Sequence, residues 1–217
     1  MPVLRYTVRM HMIERFLSRE HWVPLTFLLV LSYATIVHGF SQPQALFWDE
    51  NYHIASAQKY QHGVFFMEPH PPLGKLLIAA GEALLDRNDV DDQFVGTDYA
   101  TNPPDGFDFT GYRLFPVLLA WLTAPILYAI FFLITRKPTW ALLFSLLYVF
   151  DNALIVHARS AMLDSTLLFF SSLTLLGFFL LVRPSSDKAV PWHALLFGVA
   201  FGCAMATKAF ALIFVLL

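Results

Sequence analysis

Long apolar runs alternate with short polar connectors along this chain, and the polar stretch between the first two runs is far longer than the others. The runs cover residues 23–40, 114–134, 139–158, 163–182 and 194–217. Each is close to the roughly 20 apolar residues that a helix needs to cross a hydrocarbon core. The pattern predicts an all-α integral membrane protein, a polytopic helical bundle with a long external first loop. Residues 1–21 read as a cytoplasmic N-terminal arm, with an interfacial helix over 10–17, and 22–40 as transmembrane helix 1. The arm is long and no small-x-small site follows His38, which favours an uncleaved anchor over a signal peptide. Residues 111–217 then hold transmembrane helices 2–5. The last run stops at Leu217 inside apolar sequence, which reads as the N-terminal portion of something longer.

The loop at 41–110 has its own periodicity. Apolar positions three and four apart (Ile54, Ala57 and Tyr60, then Leu76, Leu77, Ala80 and Leu84) predict two short amphipathic helices over 50–60 and 73–85, lying along the membrane surface. Residues 86–108, rich in Asp, Asn, Pro and Gly, predict irregular loop.

Charge orients the pattern. Eleven of the 16 acidic residues fall within 41–110, against Lys59, Lys75 and Arg87. Arg5, Arg9, Arg15 and Arg19 crowd the N-terminal arm, Arg136 and Lys137 join the second and third runs, and Arg183 and Lys188 join the fourth and fifth. By the positive-inside bias, the arm and both basic connectors are cytoplasmic and the acidic loop faces the other side. At 57% hydrophobic and 14% charged residues the chain is no soluble domain, and its charge distribution is no nucleic-acid footprint. The single cysteine, Cys203, has no partner for an intrachain disulfide and reads as a small packing residue.

Ionisable groups in or beside spanning segments are costly and usually face a cavity or a partner. Arg113, Asp151, Arg159, Asp164 and Lys208 are such groups. At about 1.5 Å per residue, unbroken helices place Asp151 roughly 18 Å, Arg159 roughly 30 Å and Lys208 roughly 24 Å along their spans. All then lie in the outer half of the bilayer, on the side of Asp49 and Glu50. A plainer reading pairs Arg159 with Asp164, makes Asp151 a helix cap, and lets Lys208 reach up to the interface. His38, His157 and His193 read as interfacial, while His70 is fixed by its flanking prolines and His53 shares a helical face with Asp49. No HxxxH or CxxC spacing supports a metal site. No Gly-rich phosphate loop or GxSxG elbow is present either.

The order Trp48-Asp49-Glu50-Asn51-Tyr52-His53, His70-Pro71-Pro72-Leu73-Gly74-Lys75, Asp151-Asn152-Ala153-Leu154 and Ala158-Arg159-Ser160-Ala161-Met162-Leu163-Asp164 resembles the protein O-mannosyltransferases. These are dolichyl- or polyprenyl-phosphate-mannose-dependent enzymes of the GT-C class. The resemblance implies an inverting transfer of mannose from the lipid phosphate to Ser/Thr hydroxyls of proteins, on the outer or lumenal face. It implies a catalytic carboxylate at Asp49, with Glu50 shaping the acceptor site, and carrier-phosphate contacts from Arg159 and Lys208 with His70 nearby. His53, Arg113 and Asp164 join them as substrate-binding candidates. The implied partners are the lipid-linked donor, a Ser/Thr-containing acceptor protein and membrane lipids, and a dimer is compatible; neither metal nor cofactor is implied. The lack of an Asn-x-Ser/Thr sequon, and of a lumenal carbohydrate-binding-like module, leans toward a bacterial plasma membrane rather than the endoplasmic reticulum.

The residue types suit that chemistry. A hydroxyl is a poor nucleophile and needs a carboxylate to take its proton, and a departing lipid phosphate needs fixed cations. Two alternatives stay open: a GT-C transferase using another lipid-linked sugar or a lipid acceptor, as in aminoarabinose transfer, and a non-catalytic membrane protein.

Overall fold

The computed structural model describes residues 19–182, 184 and 186–216. Most of the N-terminal arm, with the interfacial helix expected over 10–17, lies outside the described residues. Among the described residues all regular structure is helical. Helix α1 spans Arg19–Ser32 and continues through a π-helical turn at Tyr33–Val37. Helices α2 (Glu50–Gln61) and α3 (Leu73–Leu85) occupy the long loop. Then come α4 (Thr110–Thr135), α5 (Pro138–Val149), α6 (Asn152–Ala158), α7 (Leu163–Val182) and α8 (Val190–Met205). Stretches at Glu20–Val37, Thr110–Thr135, Leu163–Val182 and Asp187–Met205 are long and apolar enough to cross a membrane, and α5 with α6 forms a further, bent candidate. The chain is a multi-pass integral membrane protein.

Helix α4 is the centre of the bundle, packing on α1, α3, α5 and α7, while α7 packs along α8. Small side chains in the bundle core (Ala120, Ala124 and Ala141) let the backbones approach, and Val117, Tyr128 and Val149 pack around them. Trp121 donates its indole N–H to Leu29 O at 3.0 Å, and the Tyr148 hydroxyl donates to Ala120 O at 2.7 Å, so polar side chains tie α1 and α5 to α4. Pro116 and Pro125 inside α4 are tolerated in such a bundle because neighbouring groups re-satisfy freed backbone positions.

Two of the predicted spans are not single helices. The run 139–158 bends by 64° between α5 and α6. The cause is Asp151, which leaves the helical region (φ −75°, ψ 109°) and accepts the Leu154 N–H at 2.9 Å as an N-cap. The last run also breaks: α8 ends at Met205, a turn carries Thr207 and Lys208, and Ala209–Leu216 is 3₁₀. The depth reckoned along an unbroken helix therefore does not hold for Arg159, whereas Lys208 lies only three residues beyond the unbroken α8. Both sit on turns where backbone leaves a helix.

A second core assembles the loop. Ile54, Ala57, Ile78, Ala79, Phe94, Phe107, Phe109 and Tyr112 are buried together with Leu163. The region 86–108 is irregular as expected, yet anchored: Phe94 N–H donates to the Gln58 side chain at 2.9 Å and Ala100 N–H to Asn51 O at 2.9 Å. Helix α3 crosses the start of α4 at Gly81 and Gly111, where a Cβ on Gly81 would stand 2.3 Å from Gly111 O. Its apolar stripe points outward at Leu76 and Leu84, while Lys75 and Glu82 turn into the protein. Helix α2, by contrast, is buried on nearly every side.

Candidate functional site

Asp49 and Glu50 are adjacent in sequence and opposite in environment. Glu50 opens α2 and is fully buried. Its Oε1 accepts from Arg113 Nε at 2.7 Å and from Ala161 N at 2.8 Å; its Oε2 accepts from Arg113 Nη2 at 2.8 Å and from Phe47 N at 3.0 Å. Arg113 spends its remaining N–H groups on the carbonyls of Ser41 (3.2 Å), Pro43 (2.7 Å) and Ala45 (2.8 Å). All five guanidinium donors are thus used. The pair joins the chain after α1, the start of α2, the start of α4 and the turn after α6. The hydrogen-bonding positions of both side chains are taken within the protein, an arrangement that suits a framework pair.

Asp49 is the N-cap residue of α2, but its side chain makes no capping bond and is exposed. Among the described residues its carboxylate has no hydrogen bond or ion pair. Trp48 before it holds φ at 45°, a strained conformation for a bulky residue, and is 74% exposed.

The motif at 70–75 meets the turn at 206–208. Leu73 N–H donates to Ala206 O at 2.9 Å. A Cβ on Gly74 would lie 2.6 Å from Leu163 Cδ2 and 3.3 Å from Thr207 Cγ2, so the absence of a side chain lets these two residues close over it. The contact brings Lys208 beside Asp164, at 2.7 Å, and Asp164 also lies 3.5 Å from His157 Nδ1. Asp164 and His157 line a small cavity together with Tyr148, Leu154 and Ser165. His157 stacks edge-on against Phe47 with ring centroids 5.7 Å apart, which carries the cluster back to the segment holding Asp49. Arg159 donates from Nη2 to His38 O at 2.9 Å, and its Nε is buried and unpaired. The Arg159–Asp164 pair of the plainer reading is absent, because Lys208 takes Asp164. The capping role expected of Asp151 is present.

Between these clusters lies a buried polar layer. Lys75 is fully buried, pairs with Glu68, and holds its ammonium 3.8 Å from the centre of the Tyr52 ring. Tyr52 OH and His70 N–H also reach Glu68 Oε1, at 3.2 Å and 3.3 Å. Burial lowers the Lys75 pKa, opposed by Glu68. His53 is 4% exposed, and burial first, then Lys75, Lys208 and His70, push its pKa down to about 3 against a smaller pull from Asp164. His70 shifts down for the same leading reason, with Lys208 and Lys75 adding to it, while Glu68 and Asp49 oppose. Both imidazoles are therefore neutral near pH 7. The structure thus gathers His53, His70, Asp164 and Lys208 near one another. It adds Lys75 and Tyr52, which lie inside the quoted motifs with no role expected of them, together with Glu68 and with His157, which the sequence reads as interfacial.

The family described as dolichyl-phosphate-mannose-protein mannosyltransferase matches residues 26–217. Dolichyl-phosphate-mannose–protein mannosyltransferase 1 of Schizosaccharomyces pombe is 31% identical over 86% of this chain and 21% of its own length. Dolichyl-phosphate-mannose–protein mannosyltransferase 3 of Saccharomyces cerevisiae is 33% identical over 86% of this chain and 24% of its own. Protein O-mannosyl-transferase 1 of Rattus norvegicus is 32% identical over 85% and 25%. In the solved S. cerevisiae Pmt1-Pmt2 complex bound to the sugar donor, one chain superposes with a TM-score of 0.79 at 26% identity, over 92% of this chain and 27% of that one. The chain thus spans about a quarter of the length of the relatives it matches. Matched across nearly all of its residues, this chain belongs to the dolichyl-phosphate-mannose-protein mannosyltransferase family.

Proposed function

We propose that the chain carries the reacting site of a glycosyltransferase that moves mannose from a polyprenyl (dolichyl) phosphate to Ser/Thr hydroxyls of proteins, inverting, on the outer or lumenal face of the membrane. The observation that carries this reading is an exposed, unpaired carboxylate at Asp49 beside a layer of lysines and neutral histidines. Asp49 takes the proton of the acceptor hydroxyl as its oxygen attacks the anomeric carbon. The bond from that carbon to the phosphate oxygen breaks, and the electron pair leaves with the lipid phosphate. Lys208 and Arg159 stabilise that charge; Asp164 and His157 hold Lys208 in place. Glu50 and Arg113 act at one remove, fixing where Asp49 stands.

The names of the relatives support the donor and acceptor classes, and the yeast neighbour, a complex of two such proteins, supports a dimeric assembly. The acidic loop at 41–110 faces the side opposite the basic connectors, by the distribution of Lys and Arg. The lean toward a bacterial plasma membrane finds no favour in these fungal and animal relatives.

Asp49→Asn keeps the side-chain shape and cannot accept the proton. In membranes from cells producing the protein, it should lower mannose transfer to a Ser/Thr peptide by about 10²–10⁴-fold, with binding of polyprenyl-phosphate-mannose retained. Near-normal turnover in Asp49→Asn would end this assignment. Turnover with a different lipid-linked sugar, and none with mannose, would support a GT-C transferase of other donor specificity.

A further inference from the structure

We propose that His53 and Glu68 recognise hydroxyl groups of the sugar being transferred, and so set donor specificity. The inference rests on the glycosyltransferase reading above and deepens it. Two polar atoms in this layer are buried and have no hydrogen-bond partner: His53 Nδ1 and Glu68 Oε2. Such groups are rare in folded proteins, because a buried polar atom left without a partner is destabilising. Tyr52 touches both residues, with its ring 5.7 Å from that of His53 and its hydroxyl on Glu68 Oε1. The other carboxylate oxygen is spent on Lys75, Tyr52 and the His70 amide, so the free capacity of Glu68 is concentrated on Oε2.

The chemistry of the two atoms selects the ligand. Glu68 Oε2 only accepts hydrogen bonds. Neutral His53 offers one nitrogen as donor and the other as acceptor. A phosphate has only acceptor oxygens and a negative charge, so Glu68 repels it. A hydroxyl donates and accepts, and matches both atoms. Lys75 is fully buried against Glu68, whereas Lys208, though paired with Asp164, is partly exposed, and Arg159 bonds a carbonyl and no carboxylate. Phosphate and sugar therefore belong to different parts of the cluster: the lipid phosphate at Lys208 and Arg159, and the hydroxyls at His53 and Glu68.

A site built to bond a substrate hydroxyl rejects the analogue lacking it by up to about 10⁴–10⁵-fold, because its own polar groups are then left unpaired. The test measures kcat/KM of wild type, His53→Phe and Glu68→Gln with polyprenyl-phosphate-mannose and with its single-deoxy sugar analogues. Wild type should disfavour at least one deoxy donor by about 100-fold or more. In His53→Phe or Glu68→Gln that ratio should collapse to within a few-fold, with mannose transfer reduced. A purely structural role slows every donor by one factor and leaves the ratio intact, which would overturn the proposal; so would a wild type indifferent to all deoxy donors. If Glu68→Gln fails to fold because Lys75 loses its counter-ion, the Glu68→Gln/Lys75→Met double variant and His53→Phe carry the same readout. A wild type that transfers mannose from no donor would overturn the underlying reading as well.

Discussion

The Glu50–Arg113 pair and the neighbouring group of Asp49, Asp164, Lys208 and Arg159 are built from the same residue types, yet one is sealed and saturated and the other open and under-used. In the first, every carboxylate oxygen and guanidinium N–H has a partner and both side chains are buried. In the second, among the described residues, Asp49 has no partner, Arg159 keeps a buried unpaired Nε, and Lys208 and Asp164 remain partly exposed. Saturation is what distinguishes a charge that holds a fold from one that is free to meet a substrate. Adjacency in the chain does not: Asp49 and Glu50 share a motif and fall on opposite sides of this division.

The largest expected effect comes from opening the sealed side. Arg113→Ala leaves Glu50 as an uncompensated buried charge, a loss of about 3–5 kcal/mol. Thermal unfolding of the detergent-solubilised protein should drop steeply, and transfer should fall only as folded protein is lost. An Arg113→Ala protein of unchanged melting temperature would erase the distinction between the clusters. Next in size is the open side. Lys208→Ala should weaken binding of polyprenyl-phosphate-mannose by about 1.5–3 kcal/mol, the worth of a charge-assisted hydrogen bond, with membrane insertion and melting temperature little changed. Full donor affinity in this variant would reduce Lys208 to a counter-ion for Asp164.

A last effect is one of pH. His53 is neutral in the fold, its pKa pushed down from 6.5 to about 3 by burial and by Lys75, Lys208 and His70. Between those values the unfolded chain takes up a proton that the folded chain refuses, so stability rises with pH across that window. The contribution is complete above pH 6.5 and is lost as pH falls toward about 3. His53→Phe should flatten the acid side of a melting-temperature profile, leaving the slope that His70, shifted in the same direction, still supplies. An unchanged profile would mean that His53 is not the buried neutral group described.

How much of this was legible in the sequence depends on the range of the interaction. Helices α2 and α3 were readable because periodicity is local, and their bounds fall within a residue of the expected ones. The break at Asp151 was only half readable: the Asp-Asn pair is a local capping signal, but the apolar residues on both sides matched one continuous span. Partners were not readable at all. Arg113 finds Glu50 across 63 positions and Lys208 finds Asp164 across 44, while the nearer Arg159 does not pair with Asp164. The motif at 70–75 pointed to His70, and only packing reveals that Lys75 is the residue buried against Tyr52 and Glu68. No local rule distinguishes a saturated carboxylate from a free one when the two are neighbours.

The central claim is that division of labour, and two conservative variants test it directly. Melting temperature and peptide mannosylation are measured side by side for Asp49→Asn and Glu50→Gln. The account predicts that Asp49→Asn melts like wild type and loses about 10²–10⁴-fold in turnover. Glu50→Gln should melt well below wild type, with transfer per folded molecule largely kept. A stable, inactive Glu50→Gln beside an active or unfolded Asp49→Asn would contradict it.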